Sequence, residues 1–270
     1  MRYVKSLISA GLILSVVSIS SCKKQTDTYT SEQLSDYLPL EVGKYITYRL
    51  DSTVFLNFGK IEETHYYEVK FEVNAQVQDN LGRPAYRIFR YIRDTTGTQS
   101  WAPDNTFFIT PLESQIEYTE DNLRFIKLHL PIKDGYSWKG NQYLPEEPYI
   151  SLYDFQNDNN IQDWDYFYNG DPAPSETIAG QTYNDVLSVE YNEIPDANLT
   201  DTIPMTDTFP ATRSYSMEKY SKGIGLVYRE YVLWDHQPNT TLQSAGPPPV
   251  YSYDPFTNGF VLKMWMIDHN

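Results

Sequence analysis

The stretch VKFEVNAQVQ, from Val69 to Gln78, decides the fold class. Val69, Phe71, Val73, Ala75 and Val77 alternate with Lys70, Glu72, Asn74, Gln76 and Gln78. This is the period-two pattern of a strand with one face in a core and the other in water. NLGR at Asn80 to Arg83 supplies turn residues, and YRIFRYIR at Tyr86 to Arg93 reads as the hairpin partner. Working outward, strand signals recur at Tyr45–Phe55, Thr106–Thr110, Gln115–Thr119, Leu123–Leu130, Val186–Tyr191, Gly225–Trp234 and Phe260–Ile267. Ser214–Tyr220 fits one helical turn or another strand. No long 3.6-residue period occurs beyond the N-terminal apolar run, and 17 prolines with 13 glycines punctuate the chain as hairpins require. The expected fold is all-β: an antiparallel sheet, curved, or a partly open barrel or sandwich, after a short polar tether.

Two segments share a pattern at a spacing of 92 residues. LPLEVGKYI runs from Leu38 to Ile46 and LPIKDGYSW from Leu130 to Trp138. Proline, an aliphatic residue and a glycine before an aromatic suit one turn used twice at a strand entry. Duplicated halves and independently chosen turn chemistry both account for it.

The N-terminus carries an address. Arg2 and Lys5 precede a mostly apolar run from Leu7 to Ile19, and Ser20-Ser21-Cys22 closes it with small side chains. Charge, apolar stretch and small residues in that order mark residues 1–21 as a secretory signal peptide, too short for a stable span. Cys22, the one cysteine of the chain, follows directly. The arrangement resembles the lipobox of bacterial lipoproteins, which implies that Cys22 is acylated and becomes the first mature residue. Residues 22–36 then form the lipid anchor and a polar tether, and residues 37–270 a single β-rich domain.

Removing the signal takes the formal charge from −15 to about −17. Such a surface repels phosphate backbones, so nucleic acid is excluded as a partner. Attachment to a bilayer comes from acyl chains rather than charge, and several chains hold where one is marginal. With its thiol committed to the anchor, the exported domain has no disulfide and relies on packing.

No constellation in the sequence identifies a reaction. His65, His129, His236 and His269 are scattered, and GxSxG, HExxH and phosphate-loop patterns are absent. The Asp/Asn-rich loop from Asp154 to Asp171 offers oxygens that suit Ca²⁺. Aligned from Asp158, however, Asp163 stands where an EF-hand needs glycine and Asn169 where it needs glutamate. Lys222 to Val227 contains GxG alone, ahead of a strand, so no dinucleotide site is expected. No catalytic, metal or cofactor residues are assigned. Asp51-Ser52-Thr53, Asp94-Thr95-Thr96 and Asp201-Thr202-Ile203 resemble the three-residue O-glycosylation motif of Bacteroidetes-type exported proteins, although Asp-Ser and Asp-Thr pairs also favour turns.

Beyond the SSCKK start, YLPLEVGKYITYRLDS (Tyr37–Ser52), ETIAGQTYNDVLSVEY (Glu176–Tyr191), YSKGIGLVYREYVLW (Tyr220–Trp234) and GFVLKMWMIDHN (Gly259–Asn270) resemble a Bacteroidetes-type outer-membrane lipoprotein family with no assigned activity. The strand-rich layout and GIGLVYRE are also similar to curved-sheet periplasmic proteins related to lipoprotein carriers. That likeness implies a strongly curved sheet enclosing an apolar cavity. The leading expectation is an outer-membrane-anchored, non-enzymatic binding protein for an apolar or lipid-like ligand. A surface glycan-binding module, using Trp101, Trp138, Trp164, Trp234 and Trp265, is the alternative. A hydrolase using acidic residues such as Asp163 and Asp165 is the second. A concave interior favours the first, coplanar exposed aromatics the second, and two buried carboxylates in a cleft the third.

Overall fold

The computed structural model describes residues 32–156, 160–192, 203, 205–206 and 208–270. Cys22, the 1–21 segment and residues 22–31 of the tether lie outside the described residues, as do Asp158, Asp201 and Thr202. A short helix α1 (Leu34–Tyr37) spans the boundary between the stretch read as tether and the domain, and its Leu34 and Tyr37 are buried in the core. Strands β1 (Tyr45–Leu56), β2 (Ile61–Gln78), β3 (Pro84–Asp94), β4 (Ala102–Pro111), β5 (Gln115–Glu120) and β6 (Leu123–His129) follow as an antiparallel meander. β7 (Ser137–Lys139), the helical turn α2 (Ile150–Tyr153), β8 (Asp165–Tyr168), β9 (Ala173–Ile178) and β10 (Gln181–Asn192) begin a second. β11 (Ala211–Ser221), β12 (Gly225–Gln237) and β15 (Phe256–His269) complete it, with the exposed ribbon of β13 (Thr240–Ser244) and β14 (Val250–Tyr253) inserted between the last two.

The sheet order is β6-β5-β4-β3-β2-β1-β15-β12-β11-β10-β8-β7, with β9 attached to β10. The fold is thus all-β, an antiparallel sheet nearly closed into a barrel with one unsealed seam, between β6 and β7. Each strand expected from the sequence forms. Ser214–Tyr220 belongs to a strand, laddered to β10 on one side and β12 on the other.

The two LPxxxG segments make the same turn. Gly43 and Gly135 both sit at positive φ, 92° and 70°, where a side chain is strained. Lys44 N–H donates to Glu41 O and Tyr136 N–H to Lys133 O, each at 3.0 Å. Gly43 N–H then donates to Val73 O (2.8 Å) and Gly135 N–H to Tyr168 O (3.0 Å). The return bonds match as well: Val73 N–H reaches Lys44 O and Tyr168 N–H reaches Tyr136 O. Each segment opens one meander. In the ring, the last strand of each meander lies beside the first strand of the other, β6 beside β7 and β15 beside β1.

The deciding stretch lies in β2, between β1 and β3. Val69 and Val73 are buried, and Phe71 packs against Tyr48 and Phe107 at ring distances of 5.0 and 5.2 Å. Asn74 is the extra residue of a bulge between the Val73–Ile88 and Ala75–Arg87 pairs, and its Oδ1 accepts from Arg87 Nε and Nη2. On the other face, Gln76 is exposed, whereas Lys70 and Glu72 are half-buried. They pair with each other at 3.2 Å, and Lys70 lies over the Tyr91 and Trp101 rings. A surface aromatic cover thus shields positions that alternation alone assigns to water.

One end of the barrel is plugged. Leu38, Leu40, Ile46, Tyr48, Phe71, Ile88, Phe107, Ile109 and Leu226 converge there around an apolar void of about 50 Å³. The chain enters at this same end, where Gly223 N–H donates to Asp36 O (2.7 Å) and Lys222 pairs with Glu32. Among the described residues no helix is long and apolar enough to cross a membrane.

Candidate functional site

The opposite end of the barrel holds a cavity of about 300 Å³, at the lower bound of ordinary ligand sites. Its walls come from both meanders. Leu50 and Ser52 of β1, Ile92 of β3, Phe260 and Leu262 of β15 and Tyr231 of β12 project inward, with Tyr149 and Tyr153 of the α2 region beside the mouth. The aromatic wall is tightly packed: Tyr153 and Phe260 rings are 4.3 Å apart, and Tyr149 and Tyr231 share a hydroxyl contact at 3.3 Å.

The floor is charged. Glu218 of β11 is 1% exposed, and its Oε1 accepts from Lys127 Nζ of β6 (2.9 Å) and Arg229 Nε of β12 (2.8 Å). Its Oε2 accepts from the Tyr220 hydroxyl at 2.6 Å. Glu218 and Arg229 face each other as a cross-strand pair, while Lys127 reaches across from the other meander. Burial alone raises a carboxyl pKa, but the two cations and the tyrosine hydroxyl outweigh it and hold Glu218 at about 2. Burial lowers the Lys127 pKa, and the Glu218 charge opposes that shift. Arg229 Nη2 is buried without a hydrogen-bond partner.

A second ionic group marks the rim. Arg90 of β3 pairs with Asp104 at 2.5 Å and with Glu120 at 2.6 Å, and Asp121 lies next to Glu120 in the β5–β6 turn. The cavity therefore runs from a cationic floor, along an apolar and aromatic wall, to an acidic rim. This is an amphipathic site rather than a purely apolar one.

The residues singled out in the sequence lie elsewhere. Asp163 and Asp165 are exposed, and Lys139 Nζ bridges Asp163 O and Asp165 Oδ2 on the outer surface. The carboxylates that enter the cavity are instead Glu218, Glu120, Asp104 and Asp121. Glu218 is held ionised with both oxygens occupied, which is the wrong state for a general acid near neutrality. Trp138, Trp164 and Trp234 are buried. Trp164 stacks on Tyr191 at 3.9 Å, and Trp101 is covered by the Arg93 guanidinium at 4.2 Å, so these rings form no common exposed platform. Among the described residues no group of three or more His, Cys, Asp or Glu is arranged to hold a metal.

Two of the glycosylation-like triplets lie within the described residues. Asp51–Thr53 lies inside β1, laddered on both sides. Asp94 caps a turn, accepting from the Thr96 hydroxyl and from the backbone N–H of Gln99 and Thr96, which lowers its pKa.

Sequence reasoning missed the floor because Lys127 and Glu218 are 91 positions apart. The sequence carries only an ambiguous trace of it: Ser214, Ser216, Glu218 and Tyr220 of β11 alternate along one face, and all four are buried, as is Ser221 at the end of the strand.

No protein-family model matches the chain, and no curated protein does. Among solved structures, the chain is similar to one described as an outer membrane lipoprotein-sorting protein domain from Vibrio parahaemolyticus. Identity is 12%, coverage 85% of each chain and TM-score 0.19. It is also similar to a DUF1329 family protein from Desulfovibrio piger, at 9% identity, covering 86% of this chain and 87% of that one, with a TM-score of 0.20. Likeness at these scores carries no weight for fold or function.

Proposed function

We propose that the protein is an envelope lipoprotein, anchored to the outer membrane through acylated Cys22, whose barrel binds an amphipathic, lipid-like ligand without turning it over. The observation that carries the binding reading is the 300 Å³ cavity, open at one end and built from both meanders. Its lining gives a ligand both apolar contact, through Leu50, Ile92, Phe260 and Leu262, and polar groups that fix its orientation. The charged interior supports binding over storage of a bare hydrocarbon, because buried charges need partners. The anchoring half rests on the order of charge, apolar run and small residues before Cys22.

Native mass spectrometry of purified residues 23–270 tests the reading. A co-purifying small molecule, displaced by Leu262→Trp, is the expected result. Protein that emerges empty and fails to saturate with any of a panel of amphiphiles overturns it. So does turnover of ester, phosphate or glycoside substrates that vanishes on changing Glu120 or Glu218 in a folded variant.

A further inference from the structure

The floor has a net positive charge and a donor to spare. Lys127 and Arg229 share one carboxylate, and both oxygens of that carboxylate are already occupied. Lys127 Nζ has three protons and, among the described residues, one acceptor. Arg229 Nη2 is buried and has none. A buried guanidinium donor without an acceptor costs more than an ordinary unmade hydrogen bond. An oxyanion at the floor would satisfy it and balance the local charge, in the planar geometry that guanidinium favours.

The rim has the opposite character. Asp104, Glu120 and Asp121 gather there around Arg90, the one cation at the rim among the described residues. A second negative charge at the outer end of a ligand would meet this acidic excess.

We infer that the cavity floor is a receptor for one carboxylate-type group, and that the ligand is a monoanionic amphiphile held head-inward with its apolar body against Leu50, Ile92, Phe260 and Leu262. This rests on reading the cavity as a binding site and adds the head group, the charge and the direction. The overall negative charge of the protein does not oppose it, because exposed charges are screened within about 8 Å at physiological salt whereas the floor pair acts in contact.

The test is calorimetry on residues 23–270, a segment that contains the compact unit Glu32–Asn270 and all described strands. Decanoate, decanol and decanedioate serve as probes. Decanoate is expected to bind at least tenfold tighter than either of the others. Lys127→Gln, which leaves Glu218 paired with Arg229, should weaken decanoate at least fivefold and change decanol less than twofold. Should that variant not fold, the ¹³C carboxyl resonance of labelled decanoate on the unaltered protein decides. Its midpoint must lie below that of free decanoate, and an unchanged or raised midpoint overturns the inference. Equal binding of decanoate and decanol, both blocked by Leu262→Trp, removes the carboxylate receptor and leaves the binding cavity standing. Binding of neither probe, or binding that Leu262→Trp does not affect, removes the cavity itself and the inference with it.

Discussion

The Tyr168 hydroxyl takes the place of a strand partner for His129: it donates to His129 O at 2.6 Å and accepts from His129 N–H at 3.1 Å. His129 ends β6, on the side where the barrel has no ladder. Further along the seam, Ile126 N–H donates to Gly140 O (2.7 Å), and Ile126 O accepts from the Trp138 indole (2.9 Å). Two side chains, Tyr168 and Trp138, and the carbonyl of Gly140 thus satisfy backbone groups of the first meander, as buried peptide groups require.

Tyr168→Phe removes that substitute partner with little change in volume. The expected loss is about 1–3 kcal/mol, the range for leaving a buried group unsatisfied. Denaturant titration should show a lower midpoint at an unchanged slope. An unaltered midpoint would mean that water serves His129 equally well.

Gly140 makes a sharper test of the seam. A Cβ at this position would overlap the Tyr166 ring and press on Ile126 O. Gly140→Ala should therefore destabilise the protein and accelerate amide exchange at Ile126 more than at Val69 in central β2. Uniform exchange at both positions would refute a seam-local effect.

Glu218 sets an acid limit. Its folded pKa, about 2, lies below the ordinary 4.5, so it contributes stability that is complete above pH 4.5 and is lost as pH falls toward 2. The size is on the order of 3 kcal/mol, from roughly 1.4 kcal/mol per unit. Melting temperatures between pH 5 and pH 2 should fall more steeply for the unaltered protein than for Glu218→Gln. The variant itself should be less stable at pH 7 by about 3–5 kcal/mol, since it leaves Lys127 and Arg229 without a counter-charge.

In β2, Phe71→Ala should cost about 3 kcal/mol, because the ring fills a site between Tyr48 and Phe107. Glu72→Ala removes one half-exposed ion pair with Lys70 and should cost roughly 0.5 kcal/mol or less. Equal losses would show that the face assignment is wrong.

Cys22→Ser should abolish incorporation of labelled palmitate and either release the protein from membranes or leave the precursor unprocessed. Equal labelling of variant and unaltered protein sinks the anchor proposal.

What the sequence made legible was local. Val69 to Val77, the NLGR turn and the strand at Gly225 are each fixed by residues within a few positions, so periodicity and turn chemistry sufficed. The LPxxxG pair was legible as a shared pattern but not as the opening of two equivalent meanders, because that requires knowing that β6 meets β7. The charged floor was hidden for a different reason. Alternation is normally read with the polar face in water, and β11 reverses it: Ser216 and Glu218 point inward, while Met217 is half-buried on the other side. A strand that lines a charged cavity sends the same periodic signal as one that faces solvent. Only its partners, Lys127 and Arg229, separate the two cases.

The docking of Glu32 and Asp36 beside Lys222 and Gly223 has a practical meaning. Glu32, where the described residues begin, lies at the plugged end of the barrel, away from the end where the cavity opens. A label attached at Glu32 would therefore report on the plugged end without touching a molecule held in the cavity.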